Sequence, residues 1–248
     1  MRDELIIYWS PVPFDPERES WNFLYPEPQN LYSELIDRTT NSSPIRFCPA
    51  TKSNMKKIFS FKSNIDDFID LTEYPLENLD RARQDNDFLP FKSKVFLKKA
   101  RKSSYPGYIN VSYNLGWFFF ASEPVVARMT APYFPATTPT EGSLFATGEF
   151  DIGQWFRPFN LDYHIPYDAK SFNVKSGDPL FFLEIFTDKQ ITFKRFVAND
   201  MIKNMSFEMA EAPSRYGPLD KLINRYRMFN SSKSKEILLT QIKKNLVE

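Results

Sequence analysis

Polar and apolar residues alternate strictly in several stretches of the second half of the chain. In YINVSYNL (108–115) every second residue is apolar, and FNLDYHI (159–165) repeats the pattern. A period of two places successive side chains on opposite faces of an extended strand, so both stretches predict half-buried β-strands. Shorter runs predict further strands: ELIIYW, PIRFCPA, KKIFSFK, LFFLEIFT and ITFKRFV.

A helical period appears at two places. Leu31, Leu35 and Ile36 form the stripe of a short amphipathic helix, and Leu238, Ile242 and Leu246 recur every four residues near the end. The pattern predicts an α+β protein with a mainly antiparallel β-sandwich or barrel over residues 94–200. Residues 1–93 would pack on it as an irregular segment with short strands and one helix. Residues 201–248 would form a C-terminal helical pair, all within one globular unit.

Composition adds an aromatic excess and an almost neutral charge. The chain has 25 Phe, 12 Tyr and 4 Trp but only 7 Gly, and its 32 basic and 31 acidic side chains leave a formal charge of +1. No global field attracts nucleic acid. The longest apolar runs are too short to span a bilayer, and the first residues lack the pattern of a signal peptide. We therefore expect no membrane association and a cytosolic location.

Several catalytic classes are excluded by counting. With one His and one Cys, the chain cannot supply a Cys/His zinc site, a two-His iron site or a disulfide. Neither a P-loop nor a G-x-G-x-x-G motif occurs. We predict no cofactor, and a protein that is more consistent with binding than with catalysis. An enzyme remains open only if carboxylates, Arg, Tyr or Lys carry the chemistry.

One stretch, GEFDIGQWFRPFNLDYHIP (148–166), concentrates candidate chemistry. On its alternating strand, Asp162 and His164 share a face and are candidates for an acid–base pair. The alternative is that both residues form the solvated side of an ordinary strand. The sequence leaves both interpretations open.

The beginning of the same stretch suggests a ligand site. Asp151 is a further catalytic candidate, and Trp155 and Arg157 share a face if the segment is extended. An indole beside a guanidinium suits a base, a sugar or a carboxylate. We name Trp155, Arg157 and Tyr163 as candidate ligand contacts. The alternative is a bulge followed by a buried Trp.

A resemblance spans most of the chain and is thinnest over residues 62–93. The segments that carry it are IYWSP, WNFLYPEP, FCPA, GEFDIGQWFRPFNL, GDPLFFLEIFTD and IKKNLVE. Together they resemble an uncharacterised family of proteins encoded by marine tailed bacteriophages. The resemblance implies a phage origin, and with it a location in the host cytoplasm or the virion. The absence of a complete catalytic constellation, beside abundant aromatic residues, leads us to expect a non-catalytic binding or assembly protein. Such a protein would act through an aromatic-rich β surface on a protein partner or on other copies of itself, as an oligomer.

A second resemblance is local. Gly148 and Asp151 are similar to the third motif of dUTPase-like domains, and Gly177 with Asp178 is similar to a turn that leads into the next strand there. This resemblance implies a β fold and, as an alternative function, nucleotide binding or hydrolysis near Asp151, Trp155 and Arg157, with Mg²⁺ only in that case. A third alternative is a regulator of a host protein.

Overall fold

The structure is a computed structural model that describes residues 3–11, 25–39, 43–72, 97–134, 136–154, 156–216 and 219–247. Its strands are Glu4–Pro11 (β1), Gln29–Asn30 (β2), Ile58–Lys62 (β3), Asp67–Asp70 (β4), Leu97–Lys102 (β5), Tyr108–Ala121 (β6), Val126–Thr130 (β7), Leu144–Phe145 (β8), Gly148–Asp151 (β9), Phe159–Pro166 (β10), Ser171–Val174 (β11), Pro179–Ile185 (β12) and Gln190–Arg195 (β13). Its helices are Leu31–Arg38 (α1), Pro44–Phe47 (α2), Pro49–Met55 (α3), Asp200–Tyr216 (α4), Leu219–Ser231 (α5) and Ser234–Lys244 (α6).

The strands form two large sheets and one separate pair. Sheet A has the order β13-β1-β6-β10-β8, with β5 also paired to β6, and sheet B has the order β2-β3-β12-β7-β9. Strands β4 and β11 form a separate two-stranded sheet. The predicted α+β class with a sandwich-like, mainly antiparallel core is confirmed. One pairing departs from it, because β1 runs parallel to β13.

Aromatic side chains fill the space between sheets A and B. Trp117 and Phe119 of β6 meet Phe61 of β3 and Phe181 of β12, all of them inaccessible to solvent. The rings of Phe61 and Phe181 stack with centroids 4.7 Å apart. Many of the described aromatic side chains thus build the interior, where each ring removes a large apolar area from water.

The long strand β6 changes partners halfway along its length. Its first half pairs with β5 and its second half with β1, while β10 pairs along its other edge. The register with β10 shifts between Trp117 and Tyr113, and Gly116 inside this interval has φ 73°. A glycine there allows the bulge at little cost, because a side chain would strain this left-handed conformation.

Helices cover part of the outer face of each sheet. On sheet A, Phe118 and Phe120 pack against Phe229, Leu238 and Ile242 of the C-terminal helices. The predicted helical pair is confirmed as α5 and α6, and the additional helix α4 precedes it. Because the odd-numbered side chains of β6 point into the core, its even-numbered side chains point outwards. The helices bury two of these, Phe118 and Phe120.

On sheet B the outer cover comes from α1 and α3. Leu31, Leu35 and Met55 pack against Ile58 and Phe182. Helix α1 lies where its apolar stripe predicts a helix. The side chain of Asn30 caps its beginning by accepting hydrogen bonds from the backbone N–H groups of Tyr32 and Ser33. Within the described residues this cover reaches β2, β3 and β12, but it does not extend over the outer residues of β7.

The strand prediction for PIRFCPA is wrong. Residues 44–47 and 49–55 form two short helices, each with a proline in its first turn. Proline is well suited to that position, where no backbone N–H donor is needed. The N-terminal third also contributes more than an irregular segment. Strand β1 lies inside sheet A between β13 and β6, and β3 lies inside sheet B.

Candidate functional site

Asp151 closes the turn that follows β9. Its Oδ1 accepts hydrogen bonds from the backbone N–H groups of Val125 at 3.2 Å and Gly153 at 3.0 Å. Its Oδ2 accepts a third bond from the side-chain amide of Gln154 at 2.7 Å. Both carboxylate oxygens are therefore engaged within the turn and with the start of β7. This geometry gives Asp151 a structural task.

Gly153 allows that turn to approach the chain before β7. A Cβ atom at this position would lie 2.2 Å from the carbonyl oxygen of Glu123 and 2.9 Å from the Cα of Pro124. These neighbours are backbone atoms, which cannot rotate away. Close packing of backbone against backbone is therefore the reason for a glycine at position 153.

The residues that follow connect the turn to the C-terminal helices. Lys235 donates to the carbonyl of Gly153 at 2.9 Å, and Asn230 donates to the Gln154 side chain at 3.4 Å. The ring of Phe156 stacks on Phe229 with centroids 4.9 Å apart. We call residues 153–157 the helix latch, because their described members attach α5 and α6 to the sandwich.

Arg157 belongs to this latch. Its guanidinium lies close enough to the hydroxyl of Tyr226 on α5 to influence the pKa of that hydroxyl. Burial raises the pKa of Tyr226 to about 12, and the cation beside it opposes that rise. The candidate ligand contact Trp155 lies outside the described residues. The structure thus connects Asp151 and Arg157 to the same turn, each with an intramolecular partner.

Asp162 and His164 share the outer face of β10, as their spacing predicts, and both are half-buried. Each bonds to a different serine. Ser112 donates to Asp162, and the Nδ1 of His164 lies 2.8 Å from the Oγ of Ser103. The ring of Tyr105 meets the imidazole edge-on at 4.8 Å.

A nucleophile–base reading of the Ser103–His164 contact meets two obstacles. Ser103 is 8% exposed, so its hydroxyl is poorly accessible to a substrate. The same oxygen accepts the backbone N–H of Tyr105 at 3.0 Å, which holds the turn before β6. The described contacts make Asp162 and His164 two serine-bonded residues and do not join them as an acid–base pair.

Tyr163 lies on the opposite face of β10, inside the core. Its hydroxyl donates to the carbonyl of Leu180 at 3.3 Å, and its ring packs edge-on against Phe145. Burial raises its pKa well above the ordinary value. The structure therefore separates Tyr163 from Asp162 and His164. It also places Tyr163 beside a small cavity of about 20 Å³ next to Asn173.

The uncovered part of sheet B carries a different group of residues. Val126 and Phe186 are cross-strand neighbours, since the N–H of Phe186 donates to the carbonyl of Val126 at 3.0 Å. Val126 is 40% exposed and Phe186 is 43% exposed. Next to them, Arg128 pairs in register with Glu184 on one side and with Glu149 on the other. We call these five residues the open face of sheet B.

Arg128 is fixed in the middle of the open face. Its Nε and Nη2 donate to one carboxylate oxygen of Glu149 at 2.8 and 2.6 Å, and Nη1 lies 3.4 Å from Glu184. The guanidinium also lies over the Phe186 ring, 4.8 Å from its centroid. A cleft of about 500 Å³ adjoins this face and is lined by Lys57, Glu184, Phe186 and Asp188 among others.

The sequence analysis did not single out the open face. A signal existed in VARMT at 126–130, where the outer positions of β7 follow the same alternation as in β10. Phe186 was harder to find, because LFFLEIF is apolar almost throughout and suggests burial on both faces. Which end of that run lacks a helical cover depends on α1 and α3, far away in the chain.

Comparison with known proteins gives no relative. No protein-family model, no curated protein and no solved structure matches the chain. In the residues that the structure describes, no three His, Cys, Asp or Glu side chains are grouped to hold a metal ion. Nor does any described helix combine the length and apolar composition needed to cross a membrane.

Proposed function

We propose that this chain is a phage-encoded, non-catalytic assembly protein that binds a second copy of itself through the open face of sheet B. The observation that carries the proposal is the exposed cross-strand pair Val126 and Phe186 beside a fixed Arg128. Aromatic residues and arginine are enriched among the side chains that contribute most to protein interfaces. The resemblance to phage proteins supports the phage origin.

The open face is prepared for binding before a partner arrives. Two carboxylates and one ring hold Arg128, so its side chain loses little freedom on association. Side chains of both signs stand beside apolar ones, which makes the face able to complement itself. A two-fold pairing would bring Arg128 of one copy towards Glu149 of the other. The formal charge of +1 adds almost no repulsion between copies.

The exposed apolar area sets the apolar contribution to self-association. Burying the remaining exposed part of one such side chain contributes about 1 kcal/mol, since full burial contributes about 1.5–3 kcal/mol. Two residues in each of two copies therefore give about 4 kcal/mol, and the loss of translational and rotational freedom offsets a comparable amount, so the expected self-association is weak. Further polar contacts would tighten this, and several such contacts in an assembly would add by multivalency.

Sedimentation equilibrium up to about 1 mM protein tests the proposal in the range where association is expected. The wild type should associate, and Phe186→Lys should be monomeric because a cation would be buried beside Arg128. The matched control is Phe68→Lys, in β4, where the ring is 64% exposed and away from the open face. A monomeric wild type, or Phe186→Lys associating like the wild type, refutes the proposal.

The nucleotide and host-regulator alternatives stay predictions. No described contact favours either, because Asp151 and Arg157 have partners within the chain. A thermal-shift series with nucleotides and Mg²⁺ separates the first alternative from self-association. A nucleotide-specific rise in melting temperature would support it, since ligands that bind only the native state stabilise it.

A further inference from the structure

A second cleft, of about 730 Å³, opens between three connecting segments. They are the segment 136–141 between β7 and β8, the turn 168–171 that leads into β11, and the residues from Asn173 to Asp178 between β11 and β12. The volume lies in the range of about 300–1,000 Å³ that is usual for small-molecule sites. No residue of this cleft belongs to the open face of sheet B.

Hydrogen bonds hold the walls of this cleft in place. The N–H of Asn173 donates to the carbonyl of Pro139 at 2.7 Å. The hydroxyl of Thr140 donates to the carbonyl of Ser171 at 2.8 Å, and that of Thr137 to the carbonyl of Pro179 at 2.9 Å. The three segments are tied to one another, so a ligand would meet a pre-formed site and order little of it.

The cleft contains polar side chains of several chemical types, and four of them have no intramolecular partner among the described residues. Thr138, Asn173 and Asp178 form no side-chain hydrogen bond or ion pair within the described part of the chain, and neither does Lys170. Together they offer a hydroxyl, an amide, a carboxylate and an ammonium group. This set can both donate to and accept from the hydroxyl groups of one ligand.

The charges of the cleft exclude two ligand classes. Three carboxylates line it against two ammonium groups: Glu141, Asp168, Asp178, Lys170 and Lys175. A phosphate would be repelled by the excess of negative charge. A divalent cation lacks a site, because no group of three possible ligating side chains is found among the described residues. A neutral, hydrogen-bonding ligand fits this lining.

The inner end of the cleft leads towards the core. A small cavity of about 20 Å³ adjoins it, lined by Tyr163, Val174 and Leu180. It shares five lining residues with the large cleft: Thr137, Thr138, Pro139, Asn173 and Asp178. This volume has room for about one water molecule and Tyr163 is buried, so a ligand contacts the outer lining of the cleft.

We infer that this cleft binds a neutral polyhydroxylated ligand of the saccharide class. Asn173 and Asp178 hydrogen-bond its hydroxyl groups, and Thr138 adds a contact at the rim. The site is independent of self-association through sheet B.

Ligand-observed saturation-transfer NMR with a panel of neutral disaccharides (maltose, cellobiose, lactose and trehalose) tests this inference. The variant Asn173→Ala/Asp178→Ala removes two polar groups that have no structural partner. The matched control Asn204→Ala/Asp37→Ala makes the same two changes at exposed positions elsewhere. Thr138→Ala is a milder second variant, should the first lower the melting temperature. ATP, observed in the same way, and CaCl₂, followed by the shift in melting temperature, serve as charged probes.

At least one disaccharide should give saturation transfer with the wild type and the control. Loss of two hydrogen bonds should weaken its affinity by about tenfold or more in Asn173→Ala/Asp178→Ala, and by less in Thr138→Ala. The inference is overturned if no disaccharide binds the wild type, or if both cleft variants bind as tightly as the control. Binding of ATP or Ca²⁺ that these variants abolish, without disaccharide binding, also overturns it.

Discussion

Replacing Gly153 by alanine tests whether the latch turn is fixed by close backbone packing. The added Cβ would lie 2.2 Å from the carbonyl oxygen of Glu123, 2.7 Å from its carbonyl carbon and 2.9 Å from the Cα of Pro124. Since all three are main-chain atoms, either the turn or the segment before β7 has to move. Asp151 and Lys235 both bond to the backbone of Gly153, so such a movement also weakens these bonds.

The magnitude follows from these two contributions. Overpacking that shifts backbone costs about 1–3 kcal/mol. Weakening the two hydrogen bonds to Gly153 adds about 1 kcal/mol. We therefore expect the free energy of unfolding to fall by about 3 kcal/mol. For a domain of this size, such a loss lowers the melting temperature by about 6–12 °C.

Thermal and urea unfolding, followed by circular dichroism, measure the effect. Gly107→Ala and Gly177→Ala are the controls, because these residues have φ of +81° and +85° and nothing within 4 Å of the added Cβ. They lose only the left-handed conformation, at about 1–2 kcal/mol each. If Gly153→Ala costs no more than these controls, the close-packing argument is wrong.

Two further predictions concern the latch and a buried carboxyl. Phe156→Ala should lower the free energy of unfolding by about 3–5 kcal/mol, because its ring stacks on Phe229. It should also reduce hydrogen-exchange protection in α5 and α6 more than in the sheets. An equal loss of protection in helices and sheets would contradict the role of the helix latch. Burial raises the pKa of Asp67, although the hydroxyl of Tyr113 donates to its carboxylate at 3.1 Å and opposes the rise. Folding thus favours the protonated form, and its stabilising contribution is lost as pH rises from about 4 through the raised pKa. Asp67→Asn keeps an acceptor for Tyr113, so its stability relative to wild type, measured by urea unfolding from about pH 4 to pH 7, should increase with pH; a constant difference would contradict this.

The strands were predictable wherever one face is buried and the other is not. Residues 108–113 of β6 and the strand Phe159–Pro166 show the period of two because their odd-numbered residues enter the core. The helix Leu31–Arg38 was predictable for the analogous reason, as its stripe packs on sheet B. Local alternation records which face is buried, and it requires no knowledge of the partner strand.

Pairing between distant segments left no such record. Strand β1 lies beside β13, with Ile6 opposite Thr192, and this parallel pairing gives no local signal in either strand. PIRFCPA misled because Ile45 and Phe47 alternate with polar residues as in a strand. In the structure Phe47 is 72% exposed, so the alternation there reflects no buried face.

The candidate site was predictable in its parts and not in its use. The same-face relation of Asp162 and His164 followed from the strand period and is observed. Their serine partners, Ser112 of β6 and Ser103 of the turn before it, could not be predicted from the spacing of residues within 148–166. Likewise, the sequence around Gly153 suggests a ligand-binding loop, but in the structure Lys235 of α6 donates a hydrogen bond to the carbonyl of Gly153. Side-chain chemistry fixes what a residue can bond, and tertiary structure selects the partner.

Phe186 shows how the fold narrows the search for a functional surface. The described phenylalanines on the outer faces of the two large sheets are otherwise covered: Phe118 and Phe120 by the C-terminal helices, and Phe182 by α1 and α3. Phe186 follows the same strand as Phe182 but keeps 43% of its surface exposed beside Val126 and Arg128. Folding of the chain therefore leaves this phenylalanine partly exposed, although the equivalent described phenylalanines are buried. Association through that position would complete the same pattern of burial between two copies.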